Sequence, residues 1–157
     1  MRKLVSTILL LALAPGAAHA AGSFRAVDVH LDTGKAHLGV YQIELTYDRA
    51  RVTIVGLEGG DTVAFKKAPY YDRRGLTAGR IKVAAFIPRS VKSKDAPAGR
   101  TRVARLHLHI GADDAEAVIA SMKVRLVVAA DPDARLLEAR AELTALPRAR
   151  KEEAGNE

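Results

Sequence analysis

The stretch Gly39 to Gly60, GVYQIELTYDRARVTIVGLEGG, most constrains what this chain can fold into. Tyr41, Ile43, Leu45 and Tyr47 alternate with Gln42, Glu44 and Thr46. A period of two puts the first set on one face of a half-buried strand and the second set on the other. Asp48 breaks the run, and Arg49-Ala50 can turn the chain. Val52-Thr53-Ile54-Val55 then opens a second strand rich in β-branched residues, and Gly59-Gly60 ends it. The unit reads as two strands joined by a short link, with one face committed to a core.

The same alternation recurs along the chain. Phe24–Asp32 places Val27, Val29 and Leu31 on one face, and Asp32-Thr33-Gly34-Lys35 is a turn cluster. Thr62–Phe65 has the composition of a short strand, and the Pro69–Gly79 region reads as a long loop or a loop with a short edge strand. In Arg80–Ile87, Ala84 and Phe86 make the second face apolar as well, which predicts a strand covered on both sides. Thr101–Ile110 turns Ala104, Leu106, Leu108 and Ile110 inward, and Met122–Ala130 does the same with Met122, Val124, Leu126 and Val128. Between them, Asp113–Ala120 suits one helical turn opened by acidic residues. Ala134–Leu146 has helix-forming composition, but Leu137, Ala139, Ala141 and Leu143 alternate, which favours a strand. Seven to nine short strands and no long helix predict an all-β fold, an antiparallel, jelly-roll-like β-sandwich.

The first twenty residues read as a signal peptide. Arg2 and Lys3 precede the apolar run Leu4–Ala14, and Ala18-His19-Ala20 is a small-x-small cleavage site. The run is too short to span a membrane, which takes about 20 residues. Cleavage after Ala20 leaves a domain over residues 21–146 and a charged tail over 147–157, which is expected to be disordered. The mature chain is therefore expected in the periplasm or outside the cell, with no membrane insertion. It has no cysteine, so neither a disulfide framework nor a thiolate metal site is available. The net charge of +7 falls to +5 without Arg2 and Lys3. Asp61–Arg105 alone carries twelve Lys/Arg against three Asp/Glu, so an acidic partner is expected.

Three motifs carry a family resemblance. They are Gly39–Asp48 followed by Val52, Val55 and Gly59; Gly79-Arg80-Ile81-Lys82-Val83-Ala84-Ala85-Phe86; and Gly99 through Ala104-Arg105-Leu106-His107-Leu108. In order and spacing, over Phe24 to Ala130, they resemble the cohesin domain and the cellulose-binding-type β-sandwiches of secreted bacterial proteins. The chain lacks the Pro that often follows Tyr-Asp in that family. The resemblance implies a secreted, non-catalytic binding module that takes a dockerin-like protein or a polysaccharide. The alternative is a structural or assembly component of the cell envelope that acts through a sheet edge.

The candidate partner-binding residues are Lys66, Lys67, Tyr70, Tyr71, Arg73 and Arg74, two aromatics between pairs of cations. Rings can stack on a partner's flat groups while the cations attract its anions. Nucleic acid is the poorer reading, since basicity is modest and export separates the chain from it. His107 and His109 share one strand face and could chelate a metal with His30 or Asp28 as third ligand, but Arg105 beside them repels a cation. The serines at 23, 90, 93 and 121 sit in no nucleophile setting, and no Gly-rich phosphate loop or paired-carboxylate motif is present. No enzyme activity, metal or cofactor is expected.

Overall fold

Two four-stranded antiparallel sheets pack face to face in the computed structural model, which describes residues 22–111 and 114–147. The signal segment and all of the tail beyond Pro147 lie outside the described residues. In chain order the strands are β1 (Ser23–Asp32), β2 (Val40–Thr46), β3 (Val52–Gly59), β4 (Tyr70–Tyr71), β5 (Arg80–Phe86), β6 (Arg100–Ile110), β7 (Lys123–Ala130) and β8 (Arg140–Ala145). One sheet runs β3-β6-β1-β8 and the other β4-β5-β2-β7. A short helix, α1 (Ala115–Ser121), precedes β7, and the Asp114 carboxylate caps it by accepting from Glu116 N–H (3.0 Å).

The two strands of the organising segment fall in different sheets. β2 pairs with β5 and β7, whereas β3 pairs with β6. Asp48 accounts for the switch. Its side chain accepts from Ala50 N–H (2.9 Å) and its carbonyl from Val52 N–H (2.9 Å), so the chain turns a corner between layers. Tyr41, Ile43, Leu45 and Tyr47 are buried on one side of the core, and Val27, Val29, Leu31, Ile54, Leu106 and Leu108 are buried on the other. Burial of one such aliphatic side chain is worth about 1.5–3 kcal/mol, which is why alternation alone fixes the facing.

Several local expectations change. Thr62–Phe65 yields no strand. Val63–Phe65 is a 3-10 turn that drops Phe65 into the core, edge-on to Tyr41 (5.4 Å, 65°). The Tyr41 hydroxyl donates to Val103 O (3.1 Å), so the ring spans the core with its polar end satisfied. Phe86 is exposed, so the outer face of β5 is not covered. A bulge between Gln42 and Ile43 sets Val128 opposite Gln42, which shifts it off the face of Leu126. Val124 and Leu126 are only partly buried, because β7 is an edge strand. β8 is a strand, as its alternation predicts, but it starts only at Arg140.

Candidate functional site

β4 and the turns around it hold all six residues singled out in the sequence. Gly59 admits the segment after Phe65, since a Cβ there would strike the Lys66 and Lys67 carbonyls. Lys66 and Lys67 leave this close approach exposed to solvent. Tyr70 and Tyr71 then pair with Ala84 and Val83 of β5. Asp72 accepts from Arg74 N–H (3.0 Å) and opens a second 3-10 turn, Arg73–Leu76. The Tyr47 hydroxyl donates to Gly75 O (2.7 Å) and pins that turn to the core, with Arg73 and Arg74 exposed upon it.

Strand alternation separates the two tyrosines. Tyr71 is half-buried and packs on the core. Tyr70 points outward, 68% exposed, and stacks on Phe86, itself 59% exposed, at 5.7 Å and 11° between planes. The stacked rings lie on the outer face of the β4-β5-β2-β7 sheet. Arg80 and Lys82 on β5 and Lys123 and Arg125 on β7 are exposed beside the same face. Glu44 sits between them, its side chain mostly covered, 3.2 Å from Arg125 and 4.0 Å from Arg80. The face therefore combines a flat apolar platform with an excess of cations.

Sequence reasoning missed Phe86, Glu44, Arg80, Lys82 and Arg125. Alternation in RIKVAAF does place Arg80, Lys82 and Phe86 on one face, and that signal was available. What was not available is the β4–β5 register that sets Tyr70 opposite Ala84, diagonal to Phe86.

The opposite sheet presents a charge-paired surface. Asp28 takes both Arg105 nitrogens, Nε at 2.6 Å and Nη2 at 3.0 Å, with Arg102 at 3.6 Å. Burial pushes the Asp28 carboxyl up, but the hydrogen bonds and charges of Arg105 and Arg102 together outweigh it and hold its pKa below the ordinary value. Burial and the nearby Arg100 push His30 down. His107 is paired with Glu58 (2.8 Å), and the His109 ring lies on Phe24 (5.1 Å). The histidines do not converge, and no group of three or more ligating side chains suited to a metal occurs among the described residues.

No family model matches the chain, and no curated protein matches it. Solved structures do. A chain of a complex between a CaDoc0917 variant and CaCohA2 superposes with a TM-score of 0.56 at 15% identity, over 75% of this chain and 84% of that one. A type I cohesin–dockerin complex from Clostridium thermocellum matches with a TM-score of 0.54 at 14% identity, over 75% and 83%. This is the cohesin fold. The solution structure of CaCohA2 from Clostridium acetobutylicum agrees, with a TM-score of 0.51 at 16% identity over 73% and 74%. The likeness extends over about three quarters of the chain, at identities that speak to backbone architecture alone.

Proposed function

We propose that the chain is an exported, non-catalytic protein-binding module whose partner docks on the outer face of the β4-β5-β2-β7 sheet. One observation carries this reading. The Tyr70–Phe86 stack is a preorganised apolar platform left in solvent, made by two of the three mostly exposed aromatic rings among the described residues, the third being Phe24 on the other sheet. Tyrosine is among the residues that dominate protein interfaces, because it covers area at low entropic cost. Two of the solved structures that share the fold are complexes with a second protein, a dockerin in the type I case.

The basic surround sets the chemistry of the partner. Arg80, Lys82, Lys123 and Arg125 flank the platform, and Lys66, Lys67, Arg73 and Arg74 extend the positive field along the β4 edge. The favoured partner carries an apolar centre rimmed with carboxylates. Charge of this kind raises the association rate and falls off as salt screens it. Export follows from the Arg2-Lys3, Leu4–Ala14 and Ala18-His19-Ala20 pattern.

Capture from an envelope extract on immobilised protein, at low and high salt, tests the proposal. Recovery of one protein, lost on combining Tyr70→Ala with Phe86→Ala, supports it. Retention on insoluble cellulose with no protein recovered replaces the protein partner with a polysaccharide. Unchanged protein capture by the double variant removes the face from consideration.

A further inference from the structure

We propose that the chain self-associates through the free edge of β8, as a two-fold dimer that joins two β3-β6-β1-β8 sheets into one. The inference stands apart from the Tyr70–Phe86 face, which lies on the other sheet.

β8 pairs with β1 on one side only, and no strand among the described residues occupies its other side. The β1 ladder fixes which backbone groups remain. Leu146 N–H donates to Ala26 O (3.0 Å). Bonded groups alternate along an antiparallel pair, so those of Thr144 and Glu142 also face β1. The N–H and C=O groups of Ala141, Leu143 and Ala145 therefore face away from it. Their side chains meet a groove of about 490 Å³, whose opposite wall is Ile119, Met122 and Val124 and which Glu116 and Glu142 also line. The far side of the sandwich is built differently, since there Phe65 and its turn fill the gap between the sheets. The β8 edge carries no proline and no lysine, its charges Arg140 and Glu142 stand on the exposed face, and its register with β1 is unbroken. Proline, lysine and a break in register are among the devices that normally blunt an exposed edge.

The edge is complementary to itself. Ala141-Glu142-Leu143-Thr144-Ala145 has a small residue at each end and the large apolar one at its centre. Two antiparallel copies with Leu143 opposite Leu143 set each Ala141 opposite Ala145 of the second copy. All three outward-facing residues then bond in register. On the outer face each Glu142 meets Thr144 of the second copy, whose hydroxyl can donate to the carboxylate. A one-residue shift toward the N-terminus would place Glu142 on Glu142. A further step brings Leu137 toward the ladder, and Leu137 N–H is already bonded to Ala129 O (2.9 Å). One register thus uses every outward-facing group without opposing like charges, and it is isologous, as a closed dimer requires.

Sedimentation equilibrium of the whole chain across the micromolar range tests this, with thermal unfolding as the control for folding. The wild-type chain should be a reversible dimer. Thr144→Glu opposes Glu142 twice across the axis and should weaken the dimer about tenfold, whereas Thr144→Lys should tighten it. Leu143→Pro removes an outward N–H and leaves the β1 ladder intact, so it should give a folded monomer. Hydrogen exchange at Ala141, Leu143 and Ala145 should slow as protein concentration rises. A chain that stays monomeric throughout, or a dimer indifferent to all three substitutions, overturns the proposal. Protection of those amides only when envelope extract is added also overturns it, because it assigns the edge to a strand of another protein.

Discussion

Tyr70 and Phe86 lie ring on ring across the β4–β5 pair, 5.7 Å apart and 11° from parallel. Each is held by a strand whose other face is tied to the core, Tyr71 through its half-buried ring and β5 through Ile81, Val83 and Ala85. The platform is therefore rigid before any partner arrives, and ordering it costs little on binding.

Phe65 tests the core on which both sheets rest. Phe65→Ala should lower the stability of the domain by about 3–5 kcal/mol, because it removes a buried ring and leaves a cavity beside Tyr41. Urea unfolding of the variant measures this. A change below about 0.5 kcal/mol would place Phe65 outside the core, against its contact with Tyr41.

The inward half of this fold was legible in the sequence, and the outward half was not. Tyr41, Ile43, Leu45, Leu106 and Leu108 lie in the core because alternation has a single solution once one face is buried. Tyr70 and Phe86 belong to segments whose contact is set by strand register; the short edge strand that the Pro69–Gly79 region allowed is present as β4, but its pairing with β5 was not readable. Ala84 and Phe86 misled for a related reason. An apolar outer face predicts a covering layer, whereas here it belongs to an exposed platform. The corner at Asp48 was readable as a turn, but not as a passage between sheets, since that depends on where β6 lies.

Acid should remove a contribution that Asp28 makes on the opposite sheet. Its folded pKa lies below the ordinary 3.8, chiefly because Arg105 and Arg102 overcome the effect of burial. A depressed carboxylate stabilises the fold fully above the unfolded pKa, and the contribution disappears as pH falls through the folded value. Asp28→Asn should therefore be less stable than wild type at pH 7, and the gap should narrow below about pH 4. Urea midpoints across that range give the answer. A constant gap would mean that the carboxylate's charge is irrelevant.

Gly79 holds a left-handed turn (φ 81°), and its carbonyl accepts from Tyr47 N–H (3.0 Å). Gly79→Ala should cost about 1–2 kcal/mol, because a Cβ disfavours that conformation and would press on the Tyr47 carbonyl. The same substitution at Gly56, which has open space around its Cβ position and no positive φ, should cost less. Thermal unfolding of the two variants side by side checks the ranking.

Export predicts a mature chain that begins at Ala21. N-terminal sequencing of protein recovered from the envelope or medium should find that residue first. Met1 retained in a membrane fraction would replace export with anchoring.

The most direct measurement of the central claim is the affinity of the captured partner for the Tyr70→Ala, Phe86→Ala double variant, by titration calorimetry at two salt concentrations. Loss of a preorganised aromatic hot spot should weaken binding about thirtyfold or more while the variant stays folded. Wild-type affinity should also fall as salt rises. Unchanged affinity in the folded double variant would contradict the account and move the binding site off this face.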